Sequence, residues 1–179
     1  MPTMTQFQPK TFLITGVSSG FGRAFAAAAL ADGHTVLGTV RTDDSKVAFE
    51  SAAPGRARAV VLDVTDFDAI RTTIPRLVEE HGRIDVLVNN AGYGHEGTLE
   101  ESSLSEMQHQ FDVNVFGAVA MIKAVLPAMR TRRSGHIINI TSMGGLSRCP
   151  ALPTTAAASS RSKESPKHLE RKSPASGSR

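Results

Sequence analysis

Five short, mostly apolar runs recur along the first 141 residues of the chain, and little polar alternation interrupts them. They lie at residues 11–15, 35–40, 57–62, 84–89 and 136–141. A continuous apolar run of this length, closed by a turn signal, is typical of a strand that is buried on both faces. The pattern therefore predicts five internal β-strands.

Between these runs, apolar residues recur at helical spacing. Residues 21–31 form an alanine-rich segment closed by Asp32-Gly33, and residues 66–81 form another that stops at Gly82. A third segment covers residues 104–133, and its predicted apolar face holds Leu104, Met107, Phe111, Val115, Val119 and Ile122. Strands that alternate with helices predict an α/β fold, in which a doubly wound parallel sheet binds ligands at the carboxyl ends of its strands.

After residue 146 this periodicity ends. Residues 147–179 hold four of the nine prolines and eight serines. The net charge of +3 also divides there: residues 1–146 carry 13 Lys and Arg against 15 Asp and Glu (−2), and residues 147–179 carry 7 against 2 (+5). We therefore predict one domain over residues 1–146 and a disordered basic tail over residues 147–179.

Composition excludes several classes of protein. The single cysteine, Cys149, excludes an internal disulfide and a cysteine-built metal site, and the six histidines show no ligand spacing. No metal site is expected. A basic tail can contact nucleic acid, but no recognition helix or aromatic platform accompanies it, so a solvated tail is favoured. The start of the chain lacks a signal-peptide pattern and the apolar runs are short, which predicts a cytoplasmic protein without membrane contact.

The turn after the first strand is rich in glycine. It reads Thr15-Gly16-Val17-Ser18-Ser19-Gly20-Phe21-Gly22 and leads into the first helix. Glycines at Gly16, Gly20 and Gly22 permit a tight turn and close approach to a pyrophosphate, which the helix N-terminus attracts. Three glycines in a turn are common by themselves; the order of strand, turn and helix is what indicates a dinucleotide site.

The second strand ends at Val40-Arg41, where an NAD-binding site would place an acidic residue. A guanidinium at that position suits a 2′-phosphate, with Ser18, Ser19 and Thr42 as further hydroxyl donors. This favours NADP(H) over NAD(H). The alternative is that Arg41 is an ordinary surface cation at a strand end.

Polar residues also follow the third and fourth strands. Asp63 can accept a hydrogen bond from the adenine amine while Val64 packs on the ring, although a helix N-cap is the alternative for Asp63. The fourth strand ends in Asn89-Asn90-Ala91-Gly92, where amides can tie strand ends together and Ala91-Gly92 lets the main chain pass close to a ribose.

Two further residues are candidates for chemistry. Asn114 interrupts an apolar helix and is expected to bond to the backbone and bend the helix, or else to be a satisfied core residue. Ser142 follows the fifth strand, where its hydroxyl can reach a substrate carbonyl or serve only in a turn. Tyr93, the single tyrosine, lies on the substrate side by position and is not placed to act as the acid.

In their order and spacing, the turn at residues 15–22 and the four motifs that follow it, at Asp63, 89–92, Asn114 and Ser142, resemble the short-chain dehydrogenases/reductases. The resemblance covers residues 10–146. It implies a Rossmann-type sheet and hydride transfer between NAD(P)H and a small-molecule carbonyl or alcohol. It implies that Asn114 and Ser142 are the first two members of an Asn-Ser-Tyr-Lys tetrad. It also implies homo-oligomers that pack through long helices, so residues 104–133 should expose an apolar face.

The chain departs from the family at the remaining two members. The resemblance places a tyrosine 13 residues after Ser142 and a lysine four residues later, but those positions hold Thr155 and Ser159. Losing a positioned proton donor costs a factor of about 10² to 10⁴ in rate. We therefore expect the chain as written to be inactive. Its alternative role is that of a non-catalytic dinucleotide-binding remnant or a partner-binding protein.

A reading-frame change explains the departure. Read one nucleotide earlier, the codons of residues 154–159 permit Tyr-Tyr-Cys-Gly-Ser-Lys, which matches the missing pair in type and spacing. The codons of residues 160–172 permit a continuation that resembles the family's catalytic helix. We interpret residues 147–179 as the product of a frameshift between about Gly145 and Arg148, in the gene or in its sequencing.

Sequencing the coding DNA across residues 144–159 tests this interpretation. We expect the shifted frame to encode tyrosine at position 155 and lysine at position 159. Any other residue pair in that frame would rule the frameshift out.

Overall fold

The computed structural model describes residues 8–95 and 97–142, which form a five-stranded sheet with helices on both faces. All strand pairs are parallel, and the strand order is β3-β2-β1-β4-β5. The strands are β1 (Thr11–Thr15), β2 (Thr35–Val40), β3 (Ala57–Val61), β4 (Val86–Asn89) and β5 (His136–Asn139). From β1 the chain adds β2 and β3 on one side of the sheet and then β4 and β5 on the other side, so the strand order reverses between β1 and β4. The carboxyl ends of these two strands therefore bound a crevice, where such folds bind ligands.

Five α-helices connect or follow the strands. They are α1 (Gly20–Ala31), α2 (Asp43–Ser51), α3 (Phe67–His81), α4 (Leu104–Phe111) and α5 (Ala118–Arg132). A single π-helical turn, Asp112–Gly117, joins α4 to α5 and is called the π segment below.

Two apolar cores lie on opposite faces of the sheet because successive strand residues point to opposite sides. Leu13 and Leu37 face one core, which the apolar sides of α3 and α5 complete. Ile14 and Val36 face the other core, with residues of α1 and with Phe49 of α2. Burial on both faces explains the continuous apolar strands, and it confirms the predicted Rossmann-type, doubly wound sheet.

Several predicted ends of elements are confirmed in detail. The side chain of Asp66 accepts the Ala69 N–H at 2.9 Å and caps α3, and Gly82 ends that helix with φ +72°. β4 and β5 are shorter than predicted. The pattern missed α2, since only Phe49 of its nine residues is buried and the helix carries little apolar periodicity. The predicted tail lies outside the described residues.

The stretch Leu104–Arg132 corrects one expectation. It is long enough to cross a membrane, with a mean hydropathy of 1.5 in its most apolar window, so the apolar stretches are not all too short. Length and composition are weak grounds, because the core helix of a soluble protein meets the same test. Here Met121, Val125 and Met129 of α5 are buried against the sheet. Leu104 of the predicted apolar face is 73% exposed, but Val115 and Ile122 are buried, so that face is exposed only in part. Phe116, which lies outside the predicted face, is 52% exposed.

At the edge of the sheet opposite the crevice, a buried carboxylate ties β1 to β4. Asp85 Oδ2 accepts the Thr11 N–H at 2.8 Å, and its Oδ1 accepts Arg83 Nε at 2.8 Å. Burial raises the pKa of Asp85, but the hydrogen bonds from Arg83 and Thr11 and the charges of Arg83 and Arg132 outweigh burial and leave the pKa below its ordinary value.

We predict that Asp85→Asn lowers the free energy of unfolding by about 2 kcal/mol at pH 7, because charge-assisted hydrogen bonds are lost. A lowered folded-state pKa gives stability that is present above the unfolded pKa, about 3.9, and is lost as pH falls through the folded value. Urea unfolding should therefore show the difference shrinking below pH 4. The control Glu80→Gln alters an exposed pair and should change stability by less than about 0.5 kcal/mol. A difference that persists undiminished at pH 2 would contradict the role of the charge.

Candidate dinucleotide site

The glycine-rich turn is anchored on the neighbouring strand. The N–H groups of Gly16 and Val17 both donate to the Thr39 carbonyl oxygen of β2 at 3.1 Å. Gly16 and Gly20 have φ values of +72° and +53°, which side-chain-bearing residues rarely adopt. These bonds and angles give the tight turn that the sequence predicts.

Gly22 brings α1 against this turn. A Cβ atom at Gly22 would overlap the carbonyl oxygen of Gly16 and approach the side-chain nitrogen of Asn90. Only a hydrogen at that position lets the first turn of α1 lie so close to the ends of β1 and β4. The third glycine is therefore explained by close helix–strand packing, beyond the turn and pyrophosphate approach that the sequence predicts for it.

The amino end of α1 differs from those of the other helices that follow a loop in the described chain. Thr42, Asp66 and Ser103 each cap their helix by accepting a backbone N–H, whereas Ser19 makes no side-chain cap on α1. The first turn of α1 also holds no acidic residue. Uncapped N–H groups and an uncompensated dipole favour an anionic ligand. Ser18, Ser19 and Phe21 are exposed around this end.

A buried threonine joins β1 to the end of β4. Thr15 Oγ1 accepts the N–H groups of Asn90 and Ala91 at 2.9 and 2.8 Å. In return, Asn90 Nδ2 donates to the Thr15 carbonyl oxygen at 2.9 Å. Asn89 Nδ2 donates to Asn139 Oδ1 of β5 at 2.8 Å. The asparagines thus tie neighbouring strand ends together, as predicted, and leave the main chain at Ala91 beside the crevice.

The ends of β2 and β3 carry the charged candidates. Asp63 Oδ1 accepts the Thr65 N–H at 2.8 Å and the Thr65 hydroxyl at 2.7 Å, and it does not cap α3. The Thr65 N–H lowers the pKa of Asp63; burial opposes this, and the Thr65 hydroxyl and the charges of Arg41 and His109 reinforce it. Asp63 is therefore an ionised acceptor at an exposed position. The adjacent Val64 is buried and lines the crevice.

Arg41 is exposed directly after β2, where the sequence places it. The neighbouring Thr42 hydroxyl is engaged within its own helix: its oxygen accepts the Ser45 N–H at 3.2 Å, and its O–H donates to Ser45 Oγ at 2.8 Å. Thr42 is thus a helix cap first, a role that the sequence analysis missed because it missed α2.

Asn114 lies in the π segment and bonds to a different part of the chain. Its Nδ2 donates to the Tyr93 carbonyl oxygen at 2.8 Å, and its Oδ1 accepts the Tyr93 N–H at 3.0 Å. The predicted backbone bonding and local distortion of the helix are both present. Gly92 passes so near that an added Cβ would lie 3.0 Å from Asn114 Oδ1. Asn114 and the loop that ends β4 therefore form one unit.

The structure brings most of the predicted residues to one edge of the sheet, with direct contacts among Thr15, Gly16, Gly22, Asn90, Ala91, Gly92 and Asn114. Ser142 is exposed and lies three residues past the end of β5. No cluster of potential metal ligands occurs among the described residues.

Two contributors were missed by the sequence analysis. Thr39 lies inside a predicted strand with no predicted role, but its carbonyl and hydroxyl oxygens both accept the Gly16 N–H. Gln110 is fully buried, and its Nε2 donates to the Tyr93 carbonyl oxygen at 3.4 Å. The available signal was the pair of amides at Gln110 and Asn114, four residues apart on one side of a helix.

The sequence matches a protein-family model described as short chain dehydrogenase over residues 10–162. A 3-ketodihydrosphingosine reductase from Bacteroides thetaiotaomicron is 44% identical over 143 residues, which are 80% of this chain and 51% of that protein. Human retinol dehydrogenase 8 is also 44% identical over 143 residues, covering 77% of this chain and 46% of the relative. The chain thus spans about half the length of these relatives.

Solved structures agree with the fold. A short-chain dehydrogenase from Streptomyces avermitilis superposes with a TM-score of 0.87 at 40% identity, over 92% of this chain and 60% of the other. ElxO with NADP bound gives 0.82 at 30% identity, over 87% and 64%. A short-chain dehydrogenase/reductase from Burkholderia phymatum in complex with NAD gives 0.84 at 29% identity, over 93% and 60%.

The glycine turn against Gly22, the tied ends of β1 and β4, and Asn114 on the β4 loop are thus found in a chain whose sequence and fold match one family throughout the described region. The chain belongs to the short-chain dehydrogenase/reductase family.

Proposed function

We propose that this chain is the cofactor-binding part of an NADP(H)-dependent oxidoreductase, and that as written it binds the dinucleotide without appreciable turnover. The observation that carries the proposal is the uncapped first turn of α1, which Gly22 holds beside the Gly16 carbonyl and Asn90. That cradle fits a pyrophosphate, because its backbone N–H groups carry no side-chain cap and glycines line it at Gly16, Gly20 and Gly22.

The residues around the crevice fit the rest of a dinucleotide. Gly16, Ser18, Ser19, Gly20 and Phe21 would lie along the pyrophosphate side. The adenine side would be formed by Asp63, which is an ionised acceptor, and by buried Val64. The main chain at Asn90, Ala91 and Gly92 would follow a ribose. When bound, the nicotinamide group supplies or accepts the hydride.

The preference for NADP(H) rests on Arg41. The position after β2 holds an exposed guanidinium where a carboxylate would select the ribose hydroxyls of NAD. A guanidinium matches a phosphate in charge and geometry. The related structures include complexes with NADP and complexes with NAD, so this preference depends on the local charge of the present chain.

For chemistry, Asn114 and Ser142 would serve a small carbonyl or alcohol substrate. Ser142 would donate a hydrogen bond to the reacting oxygen, and Asn114 would act from the π segment. The sequence holds Thr155 and Ser159 where the resemblance places the proton donor and its lysine. Without those groups we expect no measurable proton transfer, and the alternative function is dinucleotide binding alone or binding of a protein partner.

We also propose how this chain self-associates and where it is located. Exposed Leu104 and Phe116 on the long helical stretch suit packing against another copy of the chain. We propose a cytoplasmic protein that contacts neither membrane nor nucleic acid. The basic charge that would attract nucleic acid is confined to residues 147–179.

The proposed binding is tested by titrating the protein with NADPH and following the cofactor's fluorescence. We expect saturable binding by the wild type, and no carbonyl-dependent oxidation of NADPH. Gly22→Ala should weaken binding by at least about tenfold and lower stability, since its methyl group displaces α1 from Gly16. Gly94→Ala is the matched control, because an added Cβ there meets open space. Folded wild-type protein that does not bind NADPH would rule the proposal out. Carbonyl-dependent oxidation of NADPH would rule out the part of the proposal that says the chain is inactive.

The cofactor preference is tested by comparing dissociation constants for NADPH and NADH. We predict that Arg41→Ala weakens NADPH binding about tenfold, the worth of one charge-assisted contact, and leaves NADH within about twofold. Arg58→Ala, on the exposed side of β3, is the control for loss of positive charge. Equal effects of Arg41→Ala on the two cofactors would show that Arg41 does not read the 2′-phosphate.

A further inference from the structure

Gln110 is an unusual residue in α4 because its side chain is fully buried. The two residues before it, Gln108 and His109, are exposed. Burying an amide is unfavourable unless the amide is hydrogen-bonded, and nearly all buried amides have partners. The hydrogen bonds of Gln110 therefore indicate why an amide occupies this buried position.

Gln110 contacts the loop that ends β4. Its Nε2 donates to the Tyr93 carbonyl oxygen at 3.4 Å, and Asn114 Nδ2 donates to the same oxygen at 2.8 Å. A carbonyl oxygen has two lone pairs and can accept both bonds. Two amides on consecutive helical turns thus hold a single carbonyl, while Asn114 Oδ1 accepts the Tyr93 N–H at 3.0 Å.

The loop held in this way borders the candidate dinucleotide site. It begins at Ala91, whose N–H is bound to Thr15, and it passes Asn114 at Gly92. The Tyr93 ring lies on the ring of His109, with centroids 5.7 Å apart. The helix therefore fixes Tyr93 through its carbonyl, its N–H and its ring, and Gln110 contributes from the buried side.

We propose that Gln110 is a positioning residue: it fixes the main chain of Gly92 and Tyr93 beside the dinucleotide site, and it acts through the Tyr93 carbonyl that Asn114 also binds. The effect on cofactor affinity rests on the proposed dinucleotide binding. The effect on the loop itself does not.

The composition of the chain provides a direct probe of this loop. Tyr93 is the only tyrosine and there is no tryptophan, so intrinsic emission reports Tyr93 alone. Gln110→Met keeps a similar shape and removes the donor, and Gln108→Met places the same side chain at an exposed position of the same helix. Loss of one net hydrogen bond shifts the equilibrium between held and released loop about fivefold. We expect stronger acrylamide quenching and lower anisotropy of Tyr93 in Gln110→Met and no change in Gln108→Met.

A second variant separates the hydrogen bond from packing. Gln110→Glu has a donor only when the carboxyl group is protonated, and burial favours that neutral form. At low pH the acrylamide quenching and anisotropy of Tyr93 in Gln110→Glu should match those of the wild type. At high pH they should differ from the wild type as much as in Gln110→Met, or more. Because His109 lies beside Tyr93 and the charged Asp63 lies near His109, the pH series of the wild-type protein is subtracted from that of the variant. A purely structural role would give no such pH-dependent rescue.

Cofactor affinity completes the test. We expect the NADPH dissociation constant to rise about two- to fivefold in Gln110→Met and to stay unchanged in Gln108→Met. When Gln110→Met is introduced into the Asn114→Ala variant, it should raise the NADPH dissociation constant by less than it does in the wild type, because both amides act on one carbonyl. Circular dichroism establishes which variants fold, and the Gln110→Glu series decides the matter if Gln110→Met does not fold.

Unchanged quenching, anisotropy and NADPH affinity in folded Gln110→Met, or a Gln110→Glu signal independent of pH, would overturn the proposal. Wild-type protein that does not bind NADPH would instead overturn the dinucleotide site. In that case the quenching and anisotropy of Tyr93 alone decide whether Gln110 holds the loop.

Discussion

The close contact between Gly22 and the carbonyl of Gly16 is the constraint on which the rest of the site depends. A helix that starts there must have a hydrogen where every other residue has a Cβ atom. This contact sets the distance from α1 to the ends of β1 and β4. It also brings Asn90 within reach of the β1 carbonyls, where Nδ2 donates to Thr15 at 2.9 Å. The shape of the crevice thus follows from one packing distance.

Most hydrogen-bond donors around that contact have partners within the protein, and the first turn of α1 differs from them. Most are already engaged: the N–H groups of Asn90 and Ala91 bind Thr15, and those of Gly16 and Val17 bind Thr39. Where loops lead into α2, α3 and α4, side chains cap the helices. The first turn of α1 is left without such a cap. Because the surrounding donors already have partners and the N–H groups of the first turn of α1 have no side-chain cap, an anion is expected to bind at the amino end of α1.

The sequence predicted the strands, most helix boundaries and the location of the site, because those features depend on local patterns. Apolar runs without alternation follow directly from burial on both faces, and Gly82 and Asp66 end and begin α3 by chemistry within one turn. α2 was missed because it buries a single large apolar side chain, Phe49. Gln110 was missed because its burial depends on Tyr93, 17 residues away, and its local sign is the four-residue spacing from Asn114.

The outer strand β5 has a consequence for how the molecule behaves in solution. In the described part of the chain β5 pairs only with β4; Ile138 within β5 and Ile140 just after it are 46% and 38% exposed. Exposed apolar side chains at an outer strand favour burial against further chain or against another molecule. Covering Ile138 and Ile140 removes apolar surface from water, so the outer side of β5 is a favourable place for further chain or another molecule to pack.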